Sequence, residues 1–296
     1  MNKIRNITDN TSSNSSLVSI GMPVYNEEKF IQPAIESILD QDYKNFDLII
    51  SDNGSTDRTK EICLEFANKD SRIRFYSREK MTDAITNFNY VASIAKGDFF
   101  MWASGHDIRD PTFISRCVTT IEKSTSIVLC YSDAIWIDSN GHTIGHEQSD
   151  IDTVGMDKIH RLNKVFWNLG YAYPIYGIFR KRALDIILPC QRVLGSDILL
   201  LNELSVIGEF TRIPESLFYI RKLLDCGDWH AYFQKSLNIK LNRKKAIGLF
   251  LEFIIKNYQT VKKHATSPKE KLMMIKIILF GSIIKYHGIL IGLIRS

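Results

Sequence analysis

The feature that most constrains the fold is a regular alternation of short apolar runs and helical patterns over residues 17–103. The apolar runs cover residues 17–24, 46–50, 73–76 and 98–103, and their lengths suit strands. Between the first two runs, apolar residues recur at helical spacing: Phe30, Ile31, Ala34, Ile35, Ile38 and Leu39. Helical patterns also separate the later runs. This order predicts an α/β domain with a mostly parallel sheet and helices on both faces.

The second half of the chain alternates less regularly. Strands are predicted at residues 127–131, 135–138, 173–180, 210–213 and 217–221, and helices at 158–169 and 196–207. The polar, acidic segment 142–155 predicts a mobile loop, and a turn signal at Ser139, Asn140 and Gly141 precedes it. The whole chain therefore divides into a disordered polar tail (1–16), an α/β domain (17–225) and a C-terminal helical region (226–296).

Composition narrows the partners and the compartment. The net charge of +5 is too small to indicate nucleic acid, but it suits a phosphate or a lipid headgroup. The five cysteines show no CxxC spacing, which argues against zinc and against a disulfide framework. The first sixteen residues lack the apolar core of a signal peptide. We therefore expect a cytoplasmic protein.

Unusual residues follow three of the predicted strands. Pro23, Val24 and Tyr25 end the first strand, Asp52 and Asn53 end the second, and His106 and Asp107 follow the fourth. In an open parallel sheet, ligands bind beyond the carboxyl ends of the strands. The sequence therefore predicts a binding site at that edge.

Four segments at these places carry a resemblance to a known family. Residues 18–28 read VSIGMPVYNEE, 48–57 read LIISDNGSTD, 96–102 read KGDFFMW and 195–200 read GSDILL. In this order they resemble the family 2 glycosyltransferases, over about residues 17–221. The resemblance implies the GT-A form of the Rossmann-like fold. It also implies inverting transfer of a sugar from a nucleotide-sugar donor, first of all a UDP-sugar, to a hydroxyl of a glycan or a lipid-linked glycan.

The resemblance assigns donor contacts to residues of the first two loops. Asp52 matches the aspartate that contacts the base or ribose, with Asn53 beside it. The segment that lines the nucleoside pocket is matched by Pro23, Val24, Tyr25 and Glu27. An alternative is that residues 52–54 are only an Asx-type turn that caps the next helix. Arg221 stands where the family often has a basic residue near the diphosphate; the alternative is a surface arginine.

The segment that should bind a metal departs from the family pattern. Residues 103–108 read ASGHDI, so Asp107 is preceded by His106 where many relatives have further acidic residues. The resemblance implies a divalent cation held by Asp107 and His106, and an imidazole ligand favours Mn²⁺ over Mg²⁺. Two alternatives remain open: His106 donates to the phosphate without a metal, or it caps the following turn.

The resemblance makes Asp197 the general base that deprotonates the acceptor hydroxyl. The alternative is an aspartate that only stabilises a helix N-terminus. Further candidates for the acceptor region are Trp229 and His230, together with three tyrosines that suit either sugar stacking or the core: Tyr171, Tyr173 and Tyr176.

Three arrangements of the C-terminal region fit its lysine-rich, apolar sequence. It packs on the catalytic domain, lies on a membrane surface, or forms a subunit interface of a homo-oligomer. Lys276 and Lys285 interrupt its most apolar stretch, which argues against a membrane span. We favour peripheral contact with the inner face of the membrane. Two other functions stay open: a non-catalytic relative that binds a nucleotide sugar, and a sugar-phosphate nucleotidyltransferase, although the glycine-rich loop of the latter is missing after the first strand.

Overall fold

The computed structural model describes residues 15–223 and 243–287. Most of the predicted tail (1–16) lies outside these ranges, as do the ends of the predicted C-terminal region (226–296) and the candidates Trp229 and His230.

The first half of the described chain alternates between strand and helix as the sequence predicts. Its elements are β1 (Val18–Val24), α1 (Ile31–Leu39), β2 (Phe46–Asp52), α2 (Thr59–Lys69), β3 (Ile73–Ser77), α3 (Ala84–Ser93) and β4 (Phe99–Trp102). Strand β1 pairs in parallel with β2 on one side and with β4 on the other, and β3 pairs in parallel with β2. The sheet therefore grows in opposite directions from β1, and this change of direction opens a crevice at the carboxyl ends of the strands.

The second half extends the same sheet with strands of both directions. Its elements are β5 (Ile108–Arg109), α4 (Phe113–Ile121), β6 (Ile127–Ile137), β7 (Thr143–Glu147), α5 (Lys158–Asn168), β8 (Ile178–Arg180), α6 (Lys181–Leu184), α7 (Ser196–Ile207) and β9 (Glu209–Arg221). The nine-stranded sheet has the order β3-β2-β1-β4-β8-β6-β9-β5, with β7 paired to β6. Because β5, β7 and β8 alone run antiparallel to their neighbours, the sheet of the described residues is mostly parallel.

Two pairs of predicted strands are single long strands. The predicted strands 127–131 and 135–138 fall on the one strand β6, which ends at Ile137, and residues 210–213 and 217–221 belong to β9. The polar residues Ser132 and Asp133 suggest a break in β6, yet both are buried in its middle. Arg212 of β9 donates to both carboxylate oxygens of Asp133, at 2.6 and 2.7 Å, and so neutralises it inside the sheet.

Two other expectations were wrong in their local form. The predicted strand 173–180 is a 3₁₀ turn over Tyr173–Tyr176 followed by the short β8. Pro174 explains the turn, since proline lacks the N–H that a strand ladder needs and suits the first positions of a helical turn. The predicted mobile loop 142–155 contains β7, which returns along β6 after a turn at Gly141 (φ 89°).

The described part of the C-terminal region is helical. It comprises α8 (Arg243–Lys262), α9 (Pro268–Ile275), a π-helical turn (Lys276–Phe280) and α10 (Gly281–Lys285). These helices pack on α5 and α7, so this face of the region lies on the α/β domain. The carboxylate of Glu203 is buried on α7, and its Oε1 lies 2.6 Å from Lys263 Nζ and 2.9 Å from His264 Nε2. Within residues 15–223 and 243–287, no helix is both long and apolar enough to cross a bilayer.

Candidate active site

Hydrogen bonds join the loops after β1 and β2 into one surface. Asn26 has a left-handed backbone (φ 54°), and its side-chain oxygen accepts the N–H of Thr56 at 2.8 Å. The next residue, Glu27, donates its N–H to the Thr59 hydroxyl at 2.7 Å. Of the predicted nucleoside-pocket residues, Val24 is buried at the end of β1, whereas the neighbouring Tyr25 is 41% exposed. The predicted residue Pro23 pairs with Ser51 of β2.

Asp52 and Asn53 are buried at the end of β2. One carboxylate oxygen of Asp52 accepts the Ser55 N–H at 3.1 Å, which is the Asx turn considered above, and the other accepts the Ser77 hydroxyl at 3.0 Å. The Asn53 side chain exchanges hydrogen bonds with the backbone of Thr82. Asn53 therefore holds the loop before α3 in place. Each carboxylate oxygen of Asp52 can still accept one further donor.

His106, Asp107 and Arg221 meet beyond the end of β4. Both Asp107 oxygens accept hydrogen bonds from the protein: one from the Ser104 hydroxyl at 2.5 Å and one from the backbone N–H of Arg221 at 2.8 Å. The Arg221 guanidinium donates to the carbonyls of His106 and Asp138 and covers the ring of Phe30 at 4.6 Å. Arg221 is therefore a buried clamp that connects the end of β9 to the loop after β4, and not a surface arginine.

Glu27 orients the imidazole of His106. Its carboxylate lies 2.9 Å from His106 Nδ1, while Nε2 lies 3.9 Å from Asp107 Oδ1. Burial disfavours the charged imidazole, but the Glu27 hydrogen bond and the Asp107 charge outweigh burial, so the pKa of His106 is raised above its ordinary value. Gly105 permits this approach, since a Cβ there would lie 2.9 Å from Glu27 Cγ.

The predicted metal ligands give only part of a metal site. In the ranges that the structure describes, no group of three His, Cys, Asp or Glu side chains could hold a metal ion. His106 Nε2 and Asp107 Oδ1 are close enough to share a cation, and the remaining ligands would have to be water and diphosphate oxygens. Mn²⁺ accepts such a mixed nitrogen and oxygen set. The two residues therefore fit a cation whose coordination is completed by other ligands, and do not form a preassembled protein site.

Asp197 lies in the first turn of α7, directly after a backbone turn that places Gly195 at φ 67°. The Ile198 N–H donates to one Asp197 oxygen at 2.9 Å. Burial raises the pKa of Asp197 above its ordinary value, and the backbone N–H groups of Ile198 and of Asp197 itself only partly offset the effect. A carboxylate with a raised pKa suits general-base work, because a stronger base takes a hydroxyl proton more readily.

A cavity of about 400 Å³ connects Asp197 to the end of β4. Its lining is otherwise uncharged and includes six aromatic residues: Phe88, Trp102, Trp136, Tyr171, Tyr173 and Tyr176. The three tyrosines named from the sequence therefore reach the cavity. Trp136 was missed, because its position within a strand gave no signal of which neighbour it would face. Its ring lies 5.3 Å from that of Tyr171, and its Nε1–H donates to Glu147.

Buried Arg109 was missed as well, since it stands in a short strand that no pattern predicts. Its guanidinium stacks on Phe218 at 3.6 Å and donates to the Tyr176 carbonyl. Burial lowers the pKa of Arg109 to about 10, while the charge of Asp107 opposes that change. Arg109 therefore supplies a positive charge beneath the loop of Asp107.

Several known proteins are similar to this chain in sequence. The profile of the family described as Glycosyl transferase family 2 matches residues 19–188. The chain is 34% identical over 116 residues to the glycosyltransferase GlyG of Streptococcus pneumoniae, covering 39% of this chain and 38% of GlyG. It is 33% identical over 130 residues to an uncharacterized glycosyltransferase of Methanocaldococcus jannaschii, covering 43% of this chain and 45% of that protein. The matched region thus spans less than half the length of these relatives.

Solved structures share the fold at low sequence identity. The structure of Staphylococcus aureus TarS, residues 1–349, in complex with UDP-GlcNAc is 14% identical, with a TM-score of 0.61 over 89% of this chain and 81% of that one. The mannosyltransferase PcManGT of Pyrobaculum calidifontis, in complex with GDP-Man and Mn²⁺, is 12% identical, with a TM-score of 0.57 over 92% of this chain and 54% of that one. The chain therefore has the GT-A fold of these transferases.

Proposed function

Because the chain belongs to glycosyl transferase family 2, we propose that it is an inverting glycosyltransferase that uses a nucleotide-sugar donor. One observation carries the proposal: Asp197 lines the same cavity as Trp102, the last residue of β4, and the loop that holds His106 and Asp107 follows Trp102 in the chain. A single displacement needs a base on the acceptor side and a group that stabilises the leaving diphosphate, and we assign these roles to Asp197 and to that loop.

The bond changes of this displacement balance with one base. Asp197 takes the proton of the acceptor hydroxyl as the acceptor oxygen bonds to the anomeric carbon of the donor sugar. The bond between that carbon and the diphosphate oxygen breaks, and the nucleoside diphosphate leaves with the electron pair. Attack from the side opposite the leaving group inverts the anomeric centre, so the enzyme needs no nucleophile of its own.

The donor proposal assigns the nucleoside to the surface formed by Pro23, Val24, Tyr25, Asp52 and Asn53. We favour a UDP-sugar, since TarS, a neighbour in fold, is described with UDP-GlcNAc. A divalent cation held by His106 and Asp107 would neutralise the leaving diphosphate when it is bound. Mn²⁺ is favoured by the imidazole ligand and by its presence in the PcManGT structure.

The acceptor is proposed to be a hydroxyl of a glycan or of a lipid-linked glycan. The aromatic lining of the cavity supports a sugar ring as the group next to Asp197, because aromatic faces pack against the apolar faces of sugars. Asp197 is the charged side chain among the lining residues, so an acidic sugar would be repelled there.

Binding and turnover separate this function from a non-catalytic relative. The first experiment measures the melting temperature with UDP, GDP or dTDP, each with Mn²⁺, Mg²⁺ or EDTA, because a ligand that binds the folded chain raises it. Release of UDP from UDP-sugars is then measured for the wild type and for Asp197→Asn. We expect both proteins to bind UDP and only the wild type to turn over. Binding without turnover in the wild type would favour the non-catalytic reading instead.

The variant Asp52→Asn tests the nucleoside contact. Asparagine keeps one oxygen for the Ser55 N–H but loses the second carboxylate oxygen and the charge. We expect weaker UDP binding by calorimetry. The control is Ser77→Ala, which removes the hydroxyl donor to Asp52 and keeps the carboxylate and its charge. Equal UDP affinity in the wild type and Asp52→Asn would exclude the nucleoside contact, and Asp52 would then serve only the turn with Ser55.

We also propose that the outer face of α10 and the π-helical turn contacts an anionic membrane surface. Phe280, Ile283 and Ile284 are each more than half exposed there. Lys271 and Lys276 are exposed nearby, and the sequence has no Asp or Glu after Glu270. Exposed apolar groups with basic neighbours are typical of helices that lie in a bilayer interface.

Vesicle sedimentation tests this surface. We expect binding to phosphatidylcholine vesicles that contain phosphatidylglycerol, and a large loss of binding in Phe280→Ser/Ile284→Ser. The control is Ile186→Ser, an equally exposed position on the α/β domain. Light scattering measures the oligomeric state and so tests the subunit interface. If the wild type is a dimer that does not bind vesicles, and the double variant is a monomer, this face is a subunit interface and the membrane proposal is wrong.

A further inference from the structure

The C-terminal helices touch the backbone turn that carries Asp197. A Cβ at Gly195 would lie 3.0 Å from Cε2 of Phe253, so the α8 side chain sits directly against this turn. The Tyr286 ring follows α10 and meets Phe253 edge-on, with 5.6 Å between the ring centroids. Together with Phe250 these rings form a cluster that also includes Val193 and Leu199 on either side of the turn.

The Asp197 carboxylate has few bonds that could fix its direction. Its hydrogen bonds come from the backbone N–H groups of Ile198 and of Asp197 itself, which belong to the same helix. Gly195, the residue before the first turn of α7, has no side chain to cap the helix. The direction of Asp197 therefore depends on how the turn itself is held, and the C-terminal helices supply part of the packing around it.

We propose that Phe253 and Tyr286 are positioning residues for Asp197: their rings close the space behind residues 195–197 and hold the carboxylate toward the cavity. The proposal rests on the proposed function only in naming Asp197 as the base. It makes the C-terminal helices part of the transfer machinery.

The electrostatic surroundings agree with the packing. Burial raises the pKa of Asp197. The charge of Asp197 acts on Tyr286 of the appendage and on Cys190 of the loop before α7. Burial is the main cause that raises the pKa of both groups, and the Asp197 charge adds to it; at Cys190 a backbone hydrogen bond opposes the rise. Removing a ring behind the turn would admit water, and water stabilises the carboxylate.

A second cluster on the same helices provides a matched control. Val261 of α8 and Met274 of α9 are buried against Leu162, Phe166 and Val206. Tyr286 and Leu279 border both clusters, but Val261 belongs only to the second, whereas Phe253 lies against Gly195 itself. Truncation of Val261 therefore disturbs the packing of the appendage without removing a side chain from the turn at Gly195.

The deciding experiment is an NMR titration of protein with ¹³C-labelled aspartate carboxyl groups, in which Asp197→Asn assigns the Asp197 signal. We expect Phe253→Ala to lower the Asp197 pKa toward the ordinary range and Val261→Ala to leave it unchanged, although both variants lose stability. An unchanged Asp197 pKa in Phe253→Ala, or the same shift in both, would overturn the proposal. If Phe253→Ala does not fold, Phe253→Leu gives the same comparison.

Turnover provides a second, separate readout. We expect kcat to fall roughly 10- to 100-fold in Phe253→Ala with little change in donor KM, because a misdirected base affects the chemical step. Tyr286→Phe should retain the wild-type rate and Tyr286→Ala should not, since the ring and not the hydroxyl supplies the packing. If no sugar is transferred even by the wild type, the proposed function fails, while the titration still decides the positioning role.

Discussion

The donor side and the base side of the cleft are held together by different forces. On the donor side, polar contacts connect the loops after β1, β2 and β4, as in the bonds of Asn26 to Thr56 and of Asp107 to Arg221. On the base side, a glycine turn packs against the ring of Phe253, which in turn meets Tyr286, and the donors to Asp197 are backbone N–H groups of its own helix.

This difference affects how each side tolerates change. Hydrogen bonds are directional, so the donor side loses geometry when a single partner is removed and leaves another polar group unpaired. Apolar packing is not directional, so the base side depends on volume behind the turn. Substitutions on the two sides should therefore differ in whether binding or the chemical step is affected.

The largest effect is expected for Asp197→Asn. Loss of the base should lower kcat by about 10²–10⁴-fold, with UDP binding retained. The raised pKa of Asp197 means that the folded chain binds a proton more tightly than the unfolded chain. The free energy of unfolding therefore falls as the pH rises from the ordinary aspartate pKa through the raised pKa. Asparagine removes that cost, and the melting temperature at neutral pH should rise. A lowered melting temperature would contradict the burial argument.

The pH profile should show the same group. A base must be deprotonated, so kcat/KM should fall about tenfold per pH unit below the pKa of Asp197. Because that pKa is raised by burial, the fall should begin above the range of an ordinary aspartate. An acid limb at the ordinary range would indicate a solvated carboxylate and would weaken the contrast between the two sides.

A smaller effect is expected for His106→Ala on the donor side. Loss of one charge-assisted contact to the diphosphate or its cation should weaken donor binding by roughly tenfold, with a smaller change in kcat at saturating donor. Calorimetry with UDP and Mn²⁺ measures this effect. Glu27→Gln keeps the imidazole but weakens its orientation, and should therefore cost less than His106→Ala.

The smallest effect is expected for Trp136→Ala in the cavity. An aromatic contact contributes about 0.5–1.5 kcal/mol beyond its buried area, so acceptor KM should rise several-fold while donor binding is unchanged. Initial rates at varied acceptor concentration measure it. Tyr25→Ala, at an exposed donor-side position, is the control in which acceptor KM should stay constant.

The two sides also differed in how well the sequence predicted them. The donor side follows one stretch of alternating strands and helices, and its residues stand at strand ends, where topology alone brings them to one edge. Helix α4 was readable too, since Phe113, Ile114, Cys117, Val118 and Ile121 recur at helical spacing, but it was not predicted. The roles of Asp197 and of the donor residues stay predictions until they are tested.

Local pattern determined the α/β class, the succession of strands and helices along the first half of the chain, and the family, because each depends on residues close together in the chain. Only the tertiary structure decided that β6 continues through Asp133, whose charge is paired by Arg212 79 positions later. It also decided that Arg221 clamps the loop of Asp107, and that Phe253 lies behind Gly195. Such contacts join distant residues through packing and charge pairing, and no local periodicity encodes which distant partner a buried group will meet.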